Sequence, residues 1–169
     1  MDVTIRNAVP ADEVAVIRMW AAARARLAAE KIPQWQDAYP GAADFQTDLI
    51  TGAGQVAVLA TGEVVGYAAL MPSPEPTYAR IAGQWLTAGA YITIHRFVVS
   101  NQHLHHGIGQ QFMTGVLAHI QTAGTPAVRV DTHAKNTPMH HLLGHFAFQH
   151  TGTIWMTDGS PRDAYELVF

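Results

Sequence analysis

The chain has no cysteine. That excludes disulfides, thiolate metal sites and a covalent thioester on the protein itself. No apolar run approaches the roughly 20 residues needed to span a bilayer. Around Asp2 and Arg6 no basic segment leads into an apolar one, so no secretory signal is expected. The cytoplasm is the expected location, and no membrane partner is expected. Charge is scarce: 14% of residues are charged and the formal net charge is −3, which leaves no electrostatic footprint for nucleic acid. Repeats, low-complexity tracts and interdomain linkers are also missing from the sequence.

What remains is a chain of 169 residues, 49% of them apolar, long enough to bury a real core. A single domain spanning residues 1–169 is expected. The ten histidines are unusual and make the surface charge strongly pH-dependent just below neutrality. Val3 to Arg6 alternates as a first strand. Pro10, with Asp12 and Glu13 behind it, opens a helix whose apolar stripe is Val16, Trp20, Ala23 and Leu27. Gln34 to Pro40 reads as a loop with two large aromatics, Trp35 and Tyr39, followed by a short helix around Phe45, Leu49 and Ile50. A hairpin runs from Gln55 to Ala60 and Glu63 to Met71, turning at Thr61-Gly62. Three prolines, Pro72, Pro74 and Pro76, then break regular structure, and a turn of helix is expected around Arg80 to Trp85.

The informative stretch is Tyr91 to Phe148. A β-branched run, Tyr91 to Val99, leads to Leu104-His105-His106-Gly107-Ile108-Gly109-Gln110, which opens onto an amphipathic helix to Gln121. Close glycines between a strand and a helix let backbone N–H groups converge on an anion, and the helix N-terminus adds a favourable partial charge. A further strand from Ala127 leads through Asp131 to Asn136 and a short helix ending at Phe146. Two last strands are expected near Phe148 to Met156 and Asp163 to Phe169.

At these residues the chain resembles the GNAT superfamily of acetyl-CoA-dependent N-acetyltransferases. The family pattern is Gln/Arg-x-x-Gly-x-Gly/Ala after the long strand, with an Asn after the next strand. Gly107, Gly109 and Asn136 match it. Three positions depart: Leu104 replaces Gln or Arg, Leu143 stands where many members place a tyrosine proton donor, and Ala147 replaces the glycine of a Gly-Phe pair. The resemblance implies an α/β (α+β) fold with a mixed, mostly antiparallel central sheet of about six to seven strands and about four helices. It also implies acetyl-CoA as co-substrate, with no metal required, and a small-molecule or peptide amine as acceptor. A homodimer is compatible with it.

Residue by residue, the resemblance assigns pantetheine to the backbone of Phe97, Val98 and Val99. It gives the pyrophosphate to His105, His106, Gly107, Ile108, Gly109 and Gln110, and a pantetheine contact to Asn136. The loop carrying Trp35 and Tyr39 would wall the acceptor. Amine deprotonation falls to His95 or Asp131. An imidazole accepts a proton near neutrality, whereas an ordinary carboxylate is a poor base. His133 would share Asp131's side of an ideal strand. With Leu143 unable to donate, Tyr165 and Tyr91 are the candidate acids, and the thiolate can also leave without one. Two other readings stand beside the enzyme. One is an acyl-CoA-binding regulator without turnover. The other is a metal protein built on His103, His105 and His106 or on His140, His141 and His145, since imidazoles suit zinc, copper or nickel.

Overall fold

A computed structural model describes residues 2–169. The strands are β1 (Val3–Asn7), β2 (Gly54–Leu59), β3 (Val64–Pro72), β4 (Ile81–Gly83), β5 (Ile92–Val99), β6 (Ala127–Thr132), β7 (Gln149–Trp155) and β8 (Pro161–Val168). The helices are α1 (Glu13–Ala29), α2 (Ala42–Thr51), α3 (Ile108–Thr122) and α4 (Thr137–His145). The eight strands form one sheet in the order β1-β2-β3-β5-β6-β8-β7-β4. β5 and β6 pair in parallel, and the other registered neighbours are antiparallel. The mixed, mostly antiparallel sheet with four helices is as expected, with one strand more. Among the described residues no helix is long and apolar enough to cross a membrane.

The additional strand is β4. It lies in the segment where the sequence suggested a turn of helix around Arg80 to Trp85. Ile81, Ala82 and Gly83 instead pair with Ile154, Thr153 and Gly152 of β7. Gly83 and Gly152 face each other at positive φ, and a Cβ on either would collide with the opposing backbone. This close approach, available only to glycine, stabilises pairing that local propensity does not announce.

The chain forms two compact units, Met1–Leu70 with His95–Ala118, and Met71–Ile94 with His119–Phe169. In the first, the stripe of α1 is buried as its spacing demands, and Trp20 meets Tyr67 edge-on at 5.1 Å and Phe45 at 6.5 Å. α2 starts at Gly41, whose N–H donates to Asp44 Oδ2 at 2.8 Å, and stops at the left-handed Gly52. Its inner face is Phe45 and Asp48, whereas Ile50 is 86% exposed. A carboxylate therefore takes the inward position one helical step from Phe45.

In the second unit Tyr78, Tyr91, Ala127, Ile154 and Ala164 form the core, with Trp85 packed against it. Arg129 lies over the rings of Trp85 and Tyr91, at 4.1 and 3.8 Å from their centroids, and its Nε donates to the fully buried Glu166. α4 ends with Phe148 N–H donating to Leu143 O and Ala147 N–H to Gly144 O. Ala147 takes φ +59 there, a conformation that glycine accepts at no steric cost.

Candidate active site

β5 ends at Val99, and Ser100 N–H donates to Val65 O at 2.9 Å. The chain then turns through His105 at φ +65 and Gly107 at φ +75 into α3. Ile108 is buried and anchors the turn, while His105, His106, Gly107 and Gln110 are exposed and Gly109 is half-buried. A Cβ built at Gly107 meets nothing within 4 Å, and one at Gly109 meets only Val99 Cγ2 at 3.7 Å. The backbone of this turn therefore has an open face, and the first N–H groups of α3 have no intrahelical acceptor. An open first turn of a helix can take an anion. Upstream, Val98 is buried and Phe97 stacks on Phe112 at 5.1 Å.

One residue after the half-buried His95, β5 contains an outlier. Arg96 adopts φ +56 inside a strand, where a residue with a Cβ is strained. Its guanidinium is held by Asp48, Nη2 to Oδ1 at 2.5 Å and Nε to Oδ2 at 3.1 Å, with both side chains buried. Tyr67 OH also donates to Asp48 Oδ2, at 2.7 Å. Burial alone would lower the Arg96 pKa, but the Asp48 and Tyr39 contacts more than offset it and the group stays charged. Burial, with Asp48 alongside, pushes the Tyr67 phenol up, so it remains a donor.

Arg96 Nη1 also donates to Tyr39 OH at 3.1 Å. Tyr39 belongs to the aromatic loop, in which Trp35, Asp37 and Ala38 all have positive φ. The Arg24 guanidinium ties the end of that loop by donating to Pro40 O. The first unit thus holds Trp35, Tyr39, His95, the β5 end and the glycine turn. Asp131, Asn136 and Tyr165 lie in the second.

In the second unit Tyr78 OH donates to Asp131 Oδ2 at 2.6 Å. Burial, then the Asp131 charge, pushes the Tyr78 phenol far up, so the proton stays on the phenol and Asp131 is the acceptor. β6 stops at Thr132, and His133 lies beyond it with Nδ1 accepting from Lys135 N–H at 3.1 Å. Burial, followed by the Arg162 and Lys135 charges, lowers the His133 pKa. Asn136 caps α4, its Oδ1 accepting from Met139 N–H at 3.4 Å.

Tyr165 OH lies 2.7 Å from His140 Nδ1, and His140 Nε2 lies 3.1 Å from the carbonyl of His133. A carbonyl can only accept, so Nε2 carries a proton, and Asp163 Oδ2 lies 3.6 Å from the same nitrogen. Burial and Asp163 raise the Tyr165 pKa. Tyr91 is buried, with its hydroxyl accepting from Glu75 N–H at 3.0 Å, and Leu143 is fully buried. Among the described residues no group of three or more histidine or acidic side chains is placed to hold a metal ion. His103 sits 3.9 Å from Glu63, and His140 is engaged with Tyr165.

The sequence model described as the acetyltransferase (GNAT) family matches residues 20–148. The chain belongs to the GNAT acetyltransferase family. A GNAT acetyltransferase from Streptococcus agalactiae is 33% identical over 99% of this chain and 95% of its own, with TM-score 0.90. Two more distant structures share the fold. A GNAT acetyltransferase from Listeria monocytogenes has TM-score 0.77 at 16% identity, covering 99% of this chain and 95% of its own. A GNAT superfamily phosphinothricin acetyltransferase from Sinorhizobium meliloti, solved in complex with acetyl-CoA, has TM-score 0.72 at 17% identity, covering 100% and 89%. No curated protein matches the chain.

Within this GNAT acetyltransferase, sequence reasoning passed over Arg96, Asp48, Tyr67 and Tyr78. One signal was present: Asp48 stands three residues after Phe45 on the face that the helix turns inward, and Arg96 interrupts an apolar strand. A charge in each of two buried patterns is the mark of a buried pair.

Proposed function

We propose that the protein transfers an acetyl group from acetyl-CoA to a primary amine of a small molecule or peptide, by direct attack in a ternary complex. The observation that carries this reading is the open backbone face at Gly107 and Gly109 on the N-terminus of α3, directly after β5. The absence of Cβ atoms at Gly107 and Gly109 leaves room for a pyrophosphate beside the backbone, so the residues present suit the coenzyme. Bound acetyl-CoA would supply an activated thioester. Backbone groups of Phe97 to Val99 hold the pantetheine arm, and the turn from His105 to Gln110 takes the diphosphate. Asn136 is assigned the remaining pantetheine contact. The family match from residue 20 to 148 runs through both compact units, which supports one acetyltransferase domain over residues 1–169. A cytoplasmic location is part of the same reading.

His95 is the base. It removes the proton that the amine loses as the C–N bond forms and the C–S bond breaks. The donation from Tyr78 to Asp131 supports this choice, because a carboxylate already accepting a strong hydrogen bond is a still weaker base. The thiolate leaves without a side-chain acid: the Tyr165 hydroxyl is engaged with His140 and its pKa is raised, so it is a poor donor. Trp35 and Tyr39 line the acceptor loop.

Calorimetry with acetyl-CoA, followed by thiol release against an amine panel, tests the reading. Binding with release is expected. His95→Gln should lower kcat by about 10²–10⁴-fold with acetyl-CoA affinity unchanged, the range for loss of a general base. Full turnover by His95→Gln, with collapse in Asp131→Asn, would transfer the role to Asp131. The buried Leu143, where many family members place a tyrosine, favours one second reading, a coenzyme-binding regulator. Binding without release across the panel would establish it.

A further inference from the structure

The strained residue in β5 adjoins both parts of the proposed site in the first unit. Arg96 precedes the Phe97–Val99 edge in sequence, and its guanidinium reaches Tyr39 in the aromatic loop. The left-handed backbone at Arg96 sets the direction in which the next three residues leave. A residue with a Cβ holds such a conformation only when its surroundings over-determine it. Here they do. Asp48 grips the guanidinium through two nitrogens, Tyr67 fixes Asp48, and the fully buried Tyr67 packs on Trp20 and Phe45. The remaining nitrogen, Nη1, is spent on the hydroxyl of Tyr39, a residue 40% exposed.

We propose that Arg96 is a positioning residue that couples acceptor recognition to coenzyme binding. Its bidentate grip on Asp48 holds the left-handed turn that presents the Phe97–Val99 backbone, and its third nitrogen fixes Tyr39 in the acceptor loop. Neither group touches a reacting atom. This inference rests on the acetyltransferase reading, since it assigns that reading's two ligands to the two arms of one side chain. Its consequence is separable: the backbone arm governs acetyl-CoA affinity, and the Tyr39 arm governs the KM of the amine.

The test compares Asp48→Asn/Arg96→Gly with Asp48→Asn/Arg96→Ala. Both lack the guanidinium, and the shared Asp48→Asn change avoids leaving a buried carboxylate unpaired. Glycine adopts positive φ freely and alanine does not. The glycine variant should bind acetyl-CoA within about threefold of wild type, while the alanine variant should lose about tenfold or more, the scale of one charge-assisted contact. Both should show a raised amine KM, and Tyr39→Phe alone should raise amine KM and leave acetyl-CoA affinity unchanged.

Equal acetyl-CoA affinity in the folded glycine and alanine variants, whether both normal or both impaired, overturns the backbone arm. A normal amine KM in Tyr39→Phe overturns the coupling. Wild-type protein that binds no acetyl-CoA refutes the acetyltransferase reading and with it this role. The thermal midpoints of the same two variants still report whether residue 96 is strained, so the two failures are distinguished.

Discussion

Two buried arginine–carboxylate pairs stand in the two units, and they are built differently. Arg129–Glu166 in the second unit is a staple. Glu166 Oε1 accepts from Arg129 Nε at 3.1 Å and Thr87 Oγ1 at 2.5 Å, and Oε2 accepts from Leu86 N–H at 2.6 Å. Arg129 adds a bond to Thr87 O at 2.6 Å and lies over the Trp85 and Tyr91 rings. The ion pair ties β6 to β8, and the contacts to Trp85, Leu86, Thr87 and Tyr91 fix the segment after β4 to both. Arg96–Asp48 in the first unit has the same chemistry, but its arginine has a strained backbone and reaches the hydroxyl of a tyrosine that is part-exposed. Burial of a charge pair is thus a poor guide to function. Strain in the backbone and access to a ligand separate a site from a staple.

The largest expected effect breaks the staple. Glu166→Ala leaves the Arg129 charge buried and unpaired, which should cost about 3–5 kcal/mol in chemical denaturation. In the folded fraction acetyl-CoA affinity should be unchanged. A selective loss of affinity at full stability would put Glu166 in the site and erase the contrast.

The next effect belongs to the first unit and should leave stability nearly alone. A side chain at Gly109 meets only an ordinary contact with Val99. Gly109→Val should therefore fold and yet keep a diphosphate from the backbone N–H groups. Losing one charge-assisted bond worth about 1.5–3 kcal/mol implies acetyl-CoA affinity lower by about 10- to 150-fold, readable by calorimetry. Unchanged affinity in a folded variant would place the diphosphate elsewhere.

A third pair calibrates the first two. Arg6 Nη1 and Nη2 donate to Asp12 at 2.7 and 2.9 Å, and Val9 N–H donates to the same carboxylate at 2.8 Å, with Arg6 partly exposed. Burial alone would raise the Asp12 carboxyl, but these donors hold it below its usual value. With the folded pKa below the unfolded one, the stabilisation is complete above about pH 4 and is lost as pH falls through the folded value. Asp12→Ala should cost about 1 kcal/mol at pH 7. The difference from wild type should shrink in urea titrations below about pH 4. A gap that stays constant with pH would mean packing, not charge, holds that corner.

The smallest effect has the opposite sign. Ala147 holds the left-handed position closing α4 without any ion pair to secure it. Ala147→Gly removes a strain of about 1–2 kcal/mol against a glycine entropy cost of about 0.5–1 kcal/mol. A gain of up to about 1 kcal/mol in thermal unfolding is expected. A loss would show that the alanine methyl is worth more in packing than its backbone costs.

Much of the fold was legible in the sequence because its signals are local. The stripe of α1, the glycine turn before α3 and the proline-marked loops each specify an element from residues a few positions apart. Thr61-Gly62 closed its hairpin as read, and Gly107 with Asn136 pointed to the family that the comparisons establish. β4 was not legible. Its pairing depends on Gly83 meeting Gly152, far along the chain, and no local pattern records such a meeting. The candidate site divides in the same way. The open turn at Gly107 and Gly109 is a property of seven consecutive residues, so the sequence by itself determined it. The partners of the chemical groups were decided only when the chain folded: Tyr78 on Asp131, His140 on Tyr165, Asp48 and Tyr39 on Arg96. Those partners come from 25 to 57 residues away. Hydrogen bonds are short-ranged, so which donor reaches which acceptor is fixed by packing, and packing alone turned a lone arginine in a strand into the pivot of the first unit.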